Sequence, residues 1–123
     1  MKRRVVVTGM GCVTPVGNDV PTTWANLLEG KPGAAPITKF DASTWPVRFA
    51  CELKGFDPLA FMDRKEVKRA DQYAQYAMAA AVMAMRDAGF GEGTGYVPED
   101  TGVILASGIG GLRSFEDEHD VYR

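Results

Sequence analysis

Cysteine and histidine are scarce in this chain of 123 residues. The two cysteines, Cys12 and Cys51, fall in no CxxC spacing and form no disulfide framework. Cys51 is expected mid-strand on an apolar face, as a small hydrophobe. Cys12 follows a glycine turn with no evident base beside it, which a reactive thiolate needs. The one histidine, His119, lies in Glu116-Asp117-Glu118-His119-Asp120. Glu116, His119 and Asp120 share a helix face, but a run of acids in an exposed helix reads as a solvated face favoured by the helix dipole, not a metal site. Positive charge is not in excess either. With 14 basic and 16 acidic residues the net charge is −2, which excludes a generally basic nucleic-acid binder and leaves only local patches.

Long apolar runs are missing as well, so no stretch suits a bilayer span. The apolar run of the opening MKRRVVVTGMG meets Gly9, Gly11 and Pro15 too early for a signal peptide. A cytoplasmic protein without membrane or nucleic-acid partners is the expectation. There is no G-x-x-x-x-G-K-[ST] phosphate loop. VVVTGMGCVTPVGN offers two glycines after a strand, but the dinucleotide fingerprint needs a third at a helix start, where Thr14 and Pro15 stand. No residue pattern asks for a cofactor.

Turning to what is present, Asp71–Gly89 (DQYAQYAMAAAVMAMRDAG) has no proline and no internal glycine, and is rich in good helix formers. Ala70, Ala74, Ala77, Ala81, Ala84 and Ala88 alternate at steps of four and three, placing them on one helical face. Tyr73, Tyr76, Met78, Val82, Met83 and Met85 fill much of the rest. A helix apolar nearly all round is predicted to be buried on most sides, its alanine seam admitting another backbone closely. So small a chain supplies that cover with difficulty. The chain is therefore expected to be the front part of a longer protein; a complete small α/β domain is the simpler rival.

Around this helix, Arg4–Thr8 and Gly102–Ala106 read as buried strands. Val47–Leu53 alternates, with Val47, Phe49, Cys51 and Leu53 on one face, and reads as a half-buried antiparallel or edge strand. Pro21–Glu29 reads as a short helix with Trp24, Leu27 and Leu28 inward and Gly30 just past its end. Gly89–Asp100 is a surface loop. Leu112–Arg123 reads as an amphipathic helix with Leu112, Phe115 and Val121 inward. Two buried-type strands with their helices make an α/β layer arrangement with no internal domain boundary across 1–123.

One local departure from the acidic average carries information. Asp63 can cap a helix starting at Arg64, with Glu66 completing a capping box. Lys65, Lys68 and Arg69 then fall on one turn as a positive patch. Cations oppose the dipole at a helix start, so this placement points to an acidic partner.

RRVVVTGMGCVTPVGNDVPTTWANLLEGKPG, FMDRKEVKRADQYAQYAMAAAVMAMRDAG and GVILASGIGGL together resemble, in order, the N-terminal part of β-ketoacyl-acyl-carrier-protein synthases. The similarity covers essentially the whole chain, and the elongating condensing enzymes of bacterial fatty-acid synthesis fit best. The resemblance implies a thiolase-like fold with α-β-α-β-α layers, incomplete in this chain, in which central helices lie between two sheets. It implies a homodimer and a decarboxylative condensation: a cysteine takes the acyl chain, malonyl-carrier protein loses carbon dioxide, and the carbanion attacks. Two histidines and backbone amides would stabilise the oxyanion. The family's nucleophile sits in a T-A-C-[SA] elbow that Cys12 and Cys51 do not match, and His119 matches neither catalytic histidine. No catalytic residue is therefore assigned within these residues. The resemblance places Lys65, Lys68 and Arg69 where the family holds the acidic acyl-carrier protein, and Ile109 of SGIGG at the acyl pocket near the dimer interface. A carrier-protein-binding or chain-length-factor-like partner without the cysteine, and a small nucleotide-binding α/β domain, are the alternatives.

Overall fold

A computed structural model describes residues 3–91 and 95–123. Residues 92–94, in the middle of the loop expected over Gly89–Asp100, lie outside the described residues, as do the first two residues of the chain. The described elements are α1 (Val20–Leu28), β1 (Ala35–Pro36), β2 (Phe49–Ala50), α2 (Arg64–Arg69), α3 (Gln72–Asp87) and α4 (Leu112–Val121). Single 3₁₀ turns cover Pro58–Ala60 and Pro98–Asp100.

The alanine-rich stretch forms α3, the longest of these helices, capped by Asp71. At its other end the Gly89 amide donates to the Arg86 carbonyl at 3.1 Å and the Phe90 amide to the Met85 carbonyl at 2.9 Å, a closure that satisfies carbonyls the helix would otherwise leave bare. The expected close approach of a second backbone is there, and the first glycine pair provides it. A Cβ on Gly9 would overlap the Ala84 carbonyl and the Ala88 amide; one on Gly11 would overlap the Ala80 carbonyl and the Ala84 amide. Met10 between them donates its N–H to Asp87 Oδ2 at 2.9 Å. The glycines thus pack against a helix.

The chain then turns at Thr14–Gly17, whose backbones exchange hydrogen bonds of 2.8 and 3.1 Å. Side chains of α1 hold this turn: Thr23 Oγ1 donates to the Gly17 carbonyl and Asn26 Nδ2 to the Val16 carbonyl. Asp19 caps α1 by accepting from the Thr22 amide at 2.7 Å, and Pro21 occupies its first turn. Helix α1 begins one residue before the predicted Pro21 and ends, as expected, ahead of Gly30.

The alternating stretch Val47–Leu53 pairs only at Phe49–Ala50, antiparallel to β1, with Ala35 opposite Ala50 and Pro36 opposite Phe49. Its expected inward face is only partly covered: Val47, Phe49 and Cys51 are exposed and Leu53 is half-buried, while on the other face Arg48 is exposed and Ala50 and Glu52 are half-buried. Glu52 turns toward Thr38, accepting from its hydroxyl at 2.6 Å.

The two strands predicted at Arg4–Thr8 and Gly102–Ala106 find no ladder partner among the described residues. Val5 is 94% exposed and Ile104 95%. A β-branched run covered on both faces needs a layer on each side and a neighbour on each edge, and no described element supplies one. The same holds for the helices. Trp24, Leu27 and Leu28 of α1, and Leu112, Phe115 and Val121 of α4, all face outward. On α3 only Ala79 is buried, with Tyr73, Met78 and Met85 exposed. The expected burial is therefore only partial: Ala74, Tyr76, Ala77, Val82 and Met83 of α3 are half-buried, and the faces expected inward on α1 and α4 are exposed.

Apolar faces this extensive bind hydrophobic probes. Isolated residues 1–123 are expected to bind anilinonaphthalene sulfonate strongly and to melt without a cooperative transition. A dye-silent monomer with a sharp calorimetric peak would contradict this.

Candidate functional site

Two surfaces carry the chemistry-bearing residues. The first is α2. Asp63 accepts from the amides of Lys65 and Glu66, each at 2.8 Å, and Glu66 Oε2 accepts from the Asp63 amide at 3.3 Å. This is the predicted capping box, and it fixes a six-residue helix otherwise too short to hold itself. The helix stops at Ala70, whose backbone is extended, and the Gln75 side-chain amide reaches back to the carbonyls of Val67 and Ala70.

Lys65, Lys68 and Arg69 are all exposed, and none joins an ion pair among the described residues. The break at Ala70 changes the dipole argument. Lys68 and Arg69 lie in the last turn of α2, where cations are favoured; only Lys65 sits against the field. The charge cluster stands, but its placement is less costly than the sequence suggested. An apolar hollow of about 300 Å³ opens beside it, lined by Met62, Ala70, Ala74 and Met78 with Arg69 and Glu66 at its rim.

The second surface is a groove between α3 and the segment leading to Ile109. It encloses about 640 Å³ and is lined by Tyr73, Ala77, Met78 and Ala81 on one side and Leu105 and Ser107 on the other. The seam alanines keep it open. At its end, Ser107–Gly111 turns sharply, with the Gly110 amide donating to Ser107 Oγ at 2.9 Å. Ile109 projects from this turn, 80% exposed.

Asp71 lies between the two surfaces and was not singled out by sequence reasoning. Its carboxylate caps α3 through the Tyr73 amide and also accepts from the Ser114 hydroxyl of α4. The D-x-x at the head of the alanine helix marks it as a cap; nothing in the sequence pairs it with a residue 43 positions on. The Ser114 hydroxyl, with backbone amides of Tyr73, Gln72 and Ser114, holds its carboxyl below the usual range against partial desolvation.

The remaining candidates form no reactive set. Cys12 donates its thiol to Thr23 Oγ1 at 3.6 Å, a hydroxyl that cannot act as its base. Cys51 is exposed rather than set on a covered face. His119 faces Asp120 at 3.6 Å, and the described residues bring no group of three ligating side chains together.

The family profile "Beta-ketoacyl synthase, N-terminal domain" matches residues 2–123. The chain belongs to the β-ketoacyl synthase family. It is 43% identical over 120 residues to the 3-oxoacyl-[acyl-carrier-protein] synthase 2 of Synechocystis sp., covering 98% of this chain and 29% of that protein. It is 44% identical over 119 residues to the protein of the same name from Coxiella burnetii, covering 97% of this chain and 28% of the relative. Among solved structures, one titled "The ishigamide ketosynthase/chain length factor" matches with a TM-score of 0.66 and 39% identity, over 72% of this chain and 22% of that one. The chain thus spans less than a third of the length of the ketosynthase relatives it matches. Its architecture is the N-terminal portion of the thiolase-like ketosynthase fold, which accounts for strands and helix faces that nothing in the described residues covers.

The Asp71 tie carries a pH signature. Because the folded carboxyl lies below its unfolded value of about 3.9, the tie is at full strength above that value and is lost as the pH falls through the lower folded value. In an NMR titration, the Ser114 amide shift is expected to follow a midpoint below that of a free aspartate. A midpoint at or above pH 4 would contradict the arrangement.

Proposed function

We propose that this chain serves as the N-terminal part of a β-ketoacyl-[acyl-carrier-protein] synthase of fatty-acid biosynthesis. That enzyme condenses an acyl thioester with malonyl-acyl-carrier protein and releases carbon dioxide. The observation that carries the reading is the match along nearly all of the chain to proteins named 3-oxoacyl-[acyl-carrier-protein] synthase 2. In this reading residues 1–123 are one unit without an internal boundary, acting in the cytoplasm and within a homodimer. The exposed apolar faces support association with further protein layers. The nucleophilic cysteine and the two histidines are not among these residues, so purified 1–123 is expected to show no condensation activity.

Lys65, Lys68 and Arg69 are the carrier-protein contacts. An acidic carrier protein approaches a cluster of unpaired, exposed cations faster than a neutral surface, and salt screens that attraction over roughly 8 Å at physiological ionic strength. The adjoining hollow at Met62 and Met78 gives the encounter an apolar seat. Ile109 bounds the acyl pocket, an assignment supported by its place two residues beyond Ser107, which lines the apolar groove, and by glycines on both sides.

One specific observation keeps a second reading alive. The matching solved structure carries a chain length factor in its title, and a factor of that kind would use the same groove without a nucleophile. Continuation of the reading frame into a T-A-C-[SA] elbow and two histidines selects the enzyme. The nucleotide-binding alternative loses its footing, since Gly9 and Gly11 are filled by α3.

Two measurements on the complete enzyme test the assignments. The double reversal Lys65→Glu and Arg69→Glu is expected to weaken carrier-protein binding roughly tenfold at low salt and less at high salt; unchanged affinity in surface plasmon resonance would remove the patch. Ile109→Phe is expected to lower kcat/KM for the longest accepted acyl chain by roughly 10- to 100-fold, matching the 1–3 kcal/mol that overpacking costs. Short chains should be spared, and an unaltered chain-length profile would reject the role.

A further inference from the structure

Helix α4 starts without a cap of its own. Gly111 stands at its N-cap position and has no side chain to offer, yet the first-turn amides of a helix need an acceptor. Asp71, from the head of a different helix, meets this bare end through the Ser114 side chain rather than through the amides. Its Oδ1 accepts from the Tyr73 amide at 3.4 Å, while Oδ2 accepts from the Ser114 hydroxyl at the third position of α4. One carboxylate thereby caps α3 and ties the first turn of α4 to it.

The contact leaves Gly111 no alternative, because a Cβ there would overlap the Asp71 carboxylate. Next to it, Gly110 lies over the Tyr73 ring, where a Cβ would touch the ring edge at 3.8 Å. The turn is held from within by the Ser107 hydroxyl and from below by Asp71 and Tyr73. Ile109, at its apex, is the one large side chain in the turn and is free of these contacts.

We propose that Asp71 is a positioning residue: by holding the Ser114 hydroxyl and packing against Gly111 it fixes the Ser107–Gly111 turn at the end of the groove and so holds Ile109 where it limits acyl-chain length. This rests on the reading of Ile109 given above. Without the tie, the turn and the start of α4 keep, among the described residues, only apolar contacts to α3 such as the Tyr73 ring, and a small displacement of a reacting or bounding group is costly in rate.

The test uses the complete enzyme and four variants: Asp71→Ala, Ser114→Ala, Ser114→Thr and Ile109→Phe. Two readouts are taken, hydrogen exchange over residues 107–114 and the ratio of kcat/KM for long against short acyl-carrier-protein substrates. Asp71→Ala and Ser114→Ala are expected to accelerate exchange in this window roughly tenfold, the scale of a lost cap, and to change the chain-length ratio by a similar factor. Ser114→Thr keeps the hydroxyl and should restore both readouts toward wild type. Ser114→Ala preserves helix propensity, so it remains informative if Asp71→Ala does not fold. If Ile109→Phe shifts the ratio while Ser114→Ala moves neither exchange nor ratio, the positioning role is overturned and the Ile109 reading stands. If no variant moves the ratio, both are overturned. A ratio that moves with Ser114→Ala but not with Ile109→Phe supports the tie and removes Ile109 as the limiting side chain.

Discussion

The approach of the Gly9–Gly11 backbone to the alanine face of α3 is the contact on which the described structure depends. Two positions without side chains meet the backbone at Ala80, Ala84 and Ala88, with the Met83 Cβ beside Gly11, so main chain lies against main chain. Each atom pair contributes little, but such contacts sum because no intervening side chain holds the elements apart. The Met10–Asp87 bond pins the register of the crossing. The Thr14–Gly17 turn follows, and α1 is hung on it through Thr23 and Asn26. A larger residue at either glycine would displace this whole sequence of elements together.

Short polar caps do comparable work at the other end of α3. Asp63 and Glu66 close α2, Gln75 satisfies its last carbonyls, and Asp71 begins α3 within two residues of Arg69. The break at Ala70 separates an exposed basic turn from an apolar helix that lines the groove.

Local signals were legible in the sequence because local physics decides them. The capping box at Asp63, the span of α3, the turn after α1 and the start of α4 follow from caps, glycines and helical spacing that involve only neighbouring residues. The strands at Arg4–Thr8 and Gly102–Ala106 did not form ladders, because pairing is decided by what lies alongside. Of the strand expected at Val47–Leu53 only Phe49–Ala50 pairs, and Val47, Phe49 and Cys51 are left exposed for the same reason. At the candidate site, the basic cluster and Ile109 could be found from spacing and resemblance. Asp71 could be read as a cap for its own helix, but its second partner is brought to it only by the fold. The dipole argument for Lys68 and Arg69 failed because a single residue, Ala70, ends one helix before the next begins.

The methionines on the open faces of α3 have a chemical consequence. Met78 and Met85 are 50% and 41% exposed, and a thioether within reach of peroxide is converted to a polar, chiral sulfoxide. An apolar layer cannot close over that group without burying an oxygen that has no donor. Oxidation before the faces are covered would therefore lock the helix out of its packed arrangement, and only enzymatic reduction of the sulfoxide would reopen the path.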